Sequence, residues 1–460
     1  MVHRILRSHW LPFAVAVLWL ALGFANLARG AAHPGVPYRP WAFDHHAYSD
    51  LFALAGDRYF HGGRPIPYLQ DQIEYPPLLG LALWLPALVS QDPLGYFTVG
   101  YLALAACGLA AVALAGRIGG ADRWWIAGSP ALAYYAGLNW DLLPIALFLA
   151  ALLANERGRP AAAGALAALG ASAKLWPIVL VPILAAALVR GRDLRALRRV
   201  GLAFAAVALT VNLPLVLATR DRWSWFWRFN AARGAENSIW EVLRLCPATE
   251  QLAFDATFLN AAGALLLGAA ALFAASCAWR AAGTPGRAGR AVALGAAFVI
   301  VVWIATNKVW SPQYALWACA AGALAAAPRR LLVLHGVVAA VDYHVAFEAR
   351  ASRGLIRYFG VVYMAEEVAR FAAYAALAAW IGWELWRAAS ATPGATSTST
   401  PTSTPTSTPT STPTSTPTST ATWGRRLDLD GGPRRARHFR LPSLRDCEEA
   451  EMAHTEIIAV

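Results

Sequence analysis

RIGGADRWWIAGSPALAYYAGLNWDLLPIALFLAALLANERGRPAAAGALAALGASAKLWPIVLVPILAAALVRGRDLRALRR, residues 117–199, holds the reading that decides the fold. Apolar runs alternate with two kinds of turn. Arginine marks the first kind, at Arg117/Arg123, Arg157/Arg159 and Arg190 to Arg199. The turns between them carry other polar groups, Asn139 and Asp141 in one and Lys174 in the next. No stretch alternates polar and apolar residues as a half-buried strand would, so the runs read as helices. Arginines clustered in alternate short turns are the orientation signal of a chain that threads back and forth through a bilayer, with its arginine turns on the cytoplasmic side, although the longer outer loops also carry arginine.

The pattern extends in both directions. Of 460 residues, 58% are hydrophobic and 14% charged, against about a quarter charged in a soluble domain. Spans are expected at 10–30, 97–116, 124–138, 140–155, 161–173, 175–190, 198–219, 253–280, 288–306, 311–327, 330–347 and 368–388. This is an all-α, polytopic transmembrane bundle of about twelve crossings, several shorter than the ~20 residues of a full span. Short spans imply tilt, half-helices or local thinning around a cavity. The first run, Trp10 to Asn26, reads as a retained helix. Arg280 to Arg290 and Arg329/Arg330 continue the arginine alternation, and both termini fall on the cytoplasmic side. The parity closes only if 77–92, PLLGLALWLPALVSQD, lies along the outer surface as a juxtamembrane helix.

A net charge of +12 in such a chain orients it and does not call for nucleic acid. Five cysteines are scattered, without a disulfide framework or a CxxC pair. The expected domains are 1–389, a membrane domain with a first outer loop over 31–96; 390–422, a TSTP-rich linker; and 423–460, a charged tail that cannot build a core.

On this topology the unusual polar residues gather at the outer face. The loop FDHHAYSDLFALAGDRYFHGGRPIPYLQDQIEYPPLLG holds Asp44, Asp50, Asp57, Asp71 and Glu74. A carboxylate there can serve as a general base toward a hydroxyl. Asp57 and Asp71 read as solvated, whereas Asp50 sits where an apolar helix starts. Glu74, followed by Tyr75-Pro76-Pro77, also suits a helix start. Asp141, beside Asn139 and between two apolar helices, must be partnered or functional. Lys174 and Lys308 are the lysines of a chain that otherwise uses arginine, both at outer turns, and a compact ammonium suits a phosphate. WSWFWRFNAARGAENSIW, 223–240, combines an interfacial tryptophan belt with Arg228 and Arg233. Asn307-Lys308-Val309-Trp310-Ser311-Pro312-Gln313-Tyr314 joins two crossings, and Asp342, His344 and Glu348 lie near the outer end of another. HExxH, Walker and helix-opening GxGxxG patterns are absent, and no spacing demands a metal.

Seven segments in order carry a resemblance: Tyr48-Ser49-Asp50-Leu51, Pro67-Tyr68, Glu74-Tyr75-Pro76, Asn139-Trp140-Asp141, Ala173-Lys174-Leu175-Trp176-Pro177, Trp227-Arg228-Phe229-Asn230 with Arg233-Gly234, and the 307–314 turn. Together they resemble the actinobacterial polyprenol-phosphate-mannose-dependent mannosyltransferases of glycosyltransferase family 87, over about residues 40–345. The resemblance implies a class C glycosyltransferase fold with outer juxtamembrane helices. It implies transfer of a sugar, mannose by analogy, from a polyprenyl-phosphate donor to a lipid or glycan acceptor at the outer face of the cell membrane, with inversion; no cofactor is expected, with a divalent metal left open. Asp50 would be the base and Asp44 its runner-up. Glu74, Tyr75, Asn139, Asp141, Lys174, Arg228, Arg233, Lys308, Gln313 and Tyr314 would bind substrate or phosphate. The alternative from another class is a transporter or flippase for a polyprenyl-linked or anionic substrate. The chain lacks the paired internal repeats that many transporters show.

Overall fold

Proline and aspartate set where the helices begin. Pro12, Pro77, Pro93, Pro160 and Pro177 occupy first-turn positions, where a missing N–H leaves no intrahelical bond unmade. Asp92, Asp193 and Asp255 are N-caps, accepting from the N–H of Gly95, Ala196 and Phe258 at 2.7, 2.9 and 2.7 Å.

The computed structural model describes residues 9–33, 37–60, 63–246, 249, 254–284, 286–351 and 360–390. It divides the chain into two units, Met1–Thr396 and Ser397–Val460. The second unit, with nearly all of the expected linker at 390–422 and the whole tail at 423–460, lies outside the described residues.

The elements are α1 Leu11–Ala31, α2 Tyr38–Asp44, α3 Asp50–Tyr59, α4 Pro77–Val89, α5 Pro93–Ala115, α6 Trp124–Ala127, α7 Ala131–Tyr135, α8 Leu142–Glu156, α9 Pro160–Ala173, a 3-10 turn Trp176–Val179, α10 Leu180–Arg190, α11 Leu194–Ala232, α12 Ile239–Leu245, α13 Ala256–Ala282, α14 Ala288–Thr306, α15 Tyr314–Ala325, α16 Arg329–Glu348 and α17 Val361–Ser390. The protein is a polytopic all-α bundle, and among the described residues extended pairing is confined to the isolated bridges Pro67–Asp71 and Glu236–Val309. α1, α5, α11, α13, α14 and α16 are long and apolar enough to cross a membrane. α4, α8, α9 and α15 are apolar but shorter, as is the run from the 3-10 turn through α10.

α14 is the central helix, with 61% of its apolar window buried against α13, α15 and α17, whereas α11 buries 6% and packs mainly on α9. Small residues allow these approaches. A Cβ on Gly164 would stand 2.2 Å from the Val200 carbonyl oxygen, and one on Gly322 would enter the Trp125 ring. Polar side chains in the core bond to carbonyls on neighbouring elements, as Tyr101 does to Leu20 at 2.6 Å, Tyr135 to Ala339 at 2.6 Å and Trp125 to Ala327 at 2.7 Å.

The two kinds of turn separate to opposite ends. At the arginine end, the Asp122 N–H donates to the Ala323 carbonyl at 2.8 Å, Gly119 to Glu156 at 3.1 Å and Arg290 to Ala325 at 3.1 Å. At the other end, residues 46–50, 137–141, 174, 233–238 and 307–314 meet. α4 stands where a non-crossing helix is expected over 77–92.

Three expected boundaries differ. The expected span 124–138 is broken at Pro130 into α6 and α7. The expected outer loop from Arg220 to Phe254 is helical as far as Ala232, because α11 continues past a kink at Thr219, whose φ/ψ of −152° and 62° leave the helical region. The hydroxyl of Thr219 donates to the Tyr68 carbonyl at 2.6 Å and tethers that kink. Finally, α17 starts at Val361, earlier than expected, and takes Glu366 and Glu367 into the bundle beside Arg370.

Gly164→Val is expected to destabilise the fold by about 1–3 kcal/mol, since backbone cannot yield to an inserted side chain. Gly263→Val, at an open position on α13, is the control. Thermal unfolding in detergent, followed by size-exclusion chromatography, should show a lower midpoint for the first variant alone.

Candidate active site

The site begins with the stitching of the first loop to the turn after α7. Ser49 caps α3, accepting from the Leu51 N–H at 3.2 Å, and its hydroxyl donates to the Gly137 carbonyl at 2.5 Å. The Asp50 N–H donates to the Leu138 carbonyl at 2.8 Å. Gly137 allows the approach, because a Cβ there would sit 2.5 Å from the Tyr101 ring. Asp50, the first residue of α3, thus arrives beside Asn139.

Its two carboxylate oxygens are held by different donors. Tyr48 donates to Oδ1 at 2.9 Å and the Asn139 amide to Oδ2 at 2.7 Å. The same Asn139 nitrogen donates to the Tyr75 hydroxyl at 2.9 Å. Asp50 is half-buried. Burial pushes its carboxyl above the ordinary range, while the Asn139 and Tyr48 hydrogen bonds and the charge of Lys174 pull it back. Burial also keeps the Tyr75 phenol protonated. The result is an oriented carboxylate with capacity to accept one further proton-bearing group.

Two residues along the chain from Asn139, Asp141 is fully buried. Its Oδ1 accepts from the Lys174 ammonium at 2.7 Å and from the Trp317 indole at 2.6 Å, while Oδ2 is without a partner among the described residues. Lys174 also lies 5.9 Å from the Tyr75 ring centre, 6.0 Å from that of Tyr314 and 5.6 Å from that of Trp317. Arg233 pairs with Glu236, stacks over Phe229 at 5.6 Å and lies within electrostatic reach of Tyr314 and Tyr75. An oriented carboxylate and a buried ammonium therefore meet at one pair of tyrosines, with Arg233 on the neighbouring segment held by Glu236.

The other expected residues fall as follows. Gln313 is buried at the N-cap of α15, next to Tyr314. The Lys308 ammonium donates to the carbonyls of Arg233 at 2.5 Å and Ala231 at 3.2 Å, so it clamps the segment that carries Arg233. Arg228 bonds to the Asp221 carbonyl at 2.8 Å and stacks over Trp225 at the exposed surface. Glu74 lies 3.4 Å from Arg58, which also holds Asp71 at 2.6 Å. Asp44 is exposed at the end of α2. The trio near the end of α16 divides. His344 and Glu348 each approach His46 at 3.1 Å, whereas Asp342 turns inward to Arg370. Trp317 joins the cluster without a sequence argument having singled it out, while Tyr48 enters the sequence reading as a member of the 48–51 segment and Glu236 as a member of the polar stretch 223–240, neither with a role of its own. Tyr48 and Trp317 have common core or interfacial roles as residue types, but Glu236 stood three residues from Arg233 in a polar segment and was open to that inference.

Among the described residues, no group of three or more His, Cys, Asp or Glu is arranged to hold a metal ion. Residues 74–306 match the family model described as glycosyltransferase family 87. No curated protein matches the chain.

Breaking the buried Lys174–Asp141 pair from one side should cost about 3–5 kcal/mol, because an unpaired charge is left in the core. Lys174→Met is accordingly expected to unfold well below the wild type, and adding Asp141→Asn should restore most of the loss. A double variant no more stable than Lys174→Met would show that the ion pair is not the source of the cost.

Proposed function

The chain belongs to glycosyltransferase family 87 and is a membrane glycosyltransferase; from that premise we propose that it transfers mannose from a polyprenyl-phosphate donor to a lipid or glycan acceptor, with Asp50 as general base. The observation that carries this reading is the meeting of Asp50, Asn139 and Tyr75 with Lys174 and Arg233 at one end of the bundle.

In the proposed step an acceptor hydroxyl donates to Asp50 and loses its proton as its oxygen bonds to the anomeric carbon. The bond from that carbon to the donor phosphate breaks on the opposite face, giving inversion, and polyprenyl phosphate leaves with the electron pair. Tyr48 and Asn139 aim the carboxylate. Arg233 and Lys174 meet charge that grows on the leaving phosphate, where fixed cations favour the transition state over the ground state. Lys308 contributes through the backbone it clamps. Tyr75 and Tyr314 supply hydroxyls to a sugar or phosphate.

The charge pattern supports an outer-face site. Arginine-bearing turns at the opposite end favour the cytoplasm, which leaves both termini inside and the site outside. The juxtamembrane α4 suits a class C arrangement, in which the donor's lipid chain remains in the bilayer.

The test is transfer of labelled mannose from polyprenyl-phosphate mannose to membrane lipid and glycan extracts, with wild type and Asp50→Asn compared at equal folded yield. Loss of a general base is expected to slow transfer by about 10²–10⁴-fold. Equal transfer by both would remove Asp50 from this role, and no transfer by the wild type with any donor would favour transport over catalysis.

The pH profile offers an independent check. The base works ionised, so transfer should fall with acid through the raised Asp50 pKa. Asn139→Leu removes a donor that holds that pKa down and should move the acid limb to higher pH. A limb that stays in place would mean that another group controls it.

A further inference from the structure

The segment carrying Arg233 is fastened by residues that lie beyond the family match. Four of its carbonyls accept from residues between 308 and 370. Those of Ala231 and Arg233 accept from Lys308, that of Glu236 from the Trp310 N–H at 2.9 Å, and that of Asn237 from Arg370 at 2.6 Å. The Glu236 N–H and the Ser238 hydroxyl return two bonds to the Lys308 carbonyl, at 2.9 and 2.8 Å.

Asn237 is the point where this segment meets the interior. It is a non-glycine residue with φ of 49°, a conformation that persists where its surroundings hold it. Its N–H donates to Glu241 at 2.7 Å, and its side-chain oxygen accepts from Arg350 at 2.9 Å and from Tyr363. Its carbonyl faces Arg370 on α17.

Arg370 is itself over-determined. It is buried, bonds to Asp342 and, at 3.0 Å, to Glu366, lies 3.5 Å from Glu367, and stacks 4.4 Å from the Trp310 ring centre. Three carboxylates and an indole fix its plane. Its Nη2 reaches the Asn237 carbonyl. A charged group at this depth is costly unless it is both paired and used. The pairing is internal to α16 and α17, while the bond that leaves those helices ends on the Arg233 segment.

We propose that Arg370 is a positioning residue: α16 and α17, through Arg370 and Asn237, hold the 231–238 segment so that Arg233 faces the Tyr75–Tyr314 side of the site. This rests on the reading of Arg233 as a donor-phosphate contact. Lysine at 370 would keep the charge but lose the planar fork that reaches two partners at once.

The test uses the full-length protein in lipid nanodiscs, with Arg370→Gln and the milder Arg370→Lys. Hydrogen exchange is followed over 231–238, with α8 as reference. Loss of the strut should speed exchange of 231–238 by at least about tenfold in Arg370→Gln and by less in Arg370→Lys, with α8 unchanged. If Arg370→Gln does not fold, Arg370→Lys carries this arm. Kinetics supply the readout that a merely structural role would not move. Arg370→Gln, or Arg370→Lys in its place, should raise the KM for polyprenyl-phosphate mannose, and most of that rise should vanish when Arg233 is already alanine, because residues acting through one another are not additive.

Unchanged protection of 231–238 would overturn the proposal, as would an equal rise in KM with and without Arg233. If the wild type transfers nothing from this donor, the functional reading fails by itself, and the exchange arm alone decides whether Arg370 holds the segment.

Discussion

Lipid cannot hydrogen-bond, and that constraint organises the whole molecule. Each polar group drawn into the bundle must find its partner inside the protein, since an unmet one costs several kcal/mol in hydrocarbon. Tyr101, Trp125 and Tyr135 meet this by donating to carbonyls on neighbouring elements. The same constraint explains why polar residues gather at one end. Asn139 donates to Asp50 there, while the Ser49 hydroxyl and the Asp50 N–H donate to the carbonyls of Gly137 and Leu138, and these bonds join the first loop to the turn between α7 and α8. The bonds that close the fold are the bonds that aim the carboxylate, so precision at the site comes with the packing.

Asp141 and Lys174 show how far the constraint reaches. Two charges buried together cost more to desolvate than a pair of apolar residues of the same size, and their attraction repays that only with good geometry. Oδ1 of Asp141 accepts from both Lys174 and Trp317, but Oδ2 has no partner among the described residues. A pair with one unmet oxygen is hard to explain as a stabilising device alone. It does keep an ammonium beside Tyr75 and Tyr314, in a low-dielectric setting where a charge acts more strongly than in water. The proposed phosphate contact gives that arrangement a use.

Much of this was legible in the sequence because it depends on spacing and scarcity. Arginine at alternate turns marked one set of helix ends, and the apolar runs between the turns marked the helices. The pairing of Asn139 with Asp141 and the two lysines pointed to the turns that meet. What could not be read depends on direction in space. Arg228 and Arg233 share a polar segment, yet the kink at Thr219 and the continued helix place one at the surface and the other toward Tyr314. Lys174 and Lys308 look equivalent as outer-turn lysines, but one faces a buried carboxylate and the other two backbone carbonyls. Asp342, His344 and Glu348 lie within seven positions on one helix, and helical geometry turns Asp342 away from the other two. Arg370 lies inside the expected span 368–388, a placement that asks for a partner, but Glu366 and Glu367 stand before that span, and the earlier start of α17 is what sets them on the same helix.

The extent of the family match sharpens the same point. Residues 74–306 include Asn139, Asp141, Lys174 and Arg233 but neither Asp50 nor Arg370. The proposed base comes from before the match and the proposed strut from after it, and each reaches the matched core through hydrogen bonds, Asp50 to Asn139 and Arg370 to the Asn237 carbonyl. The two attachments differ in kind. Asp50 contributes a side chain that accepts, with an oxygen's capacity left for a proton. Arg370 contributes donors, with its charge already met by the Asp342 carboxylate. The first attachment has the features of a group that reacts and the second those of a group that holds, which is why the base is sought at Asp50 and the positioning role at Arg370.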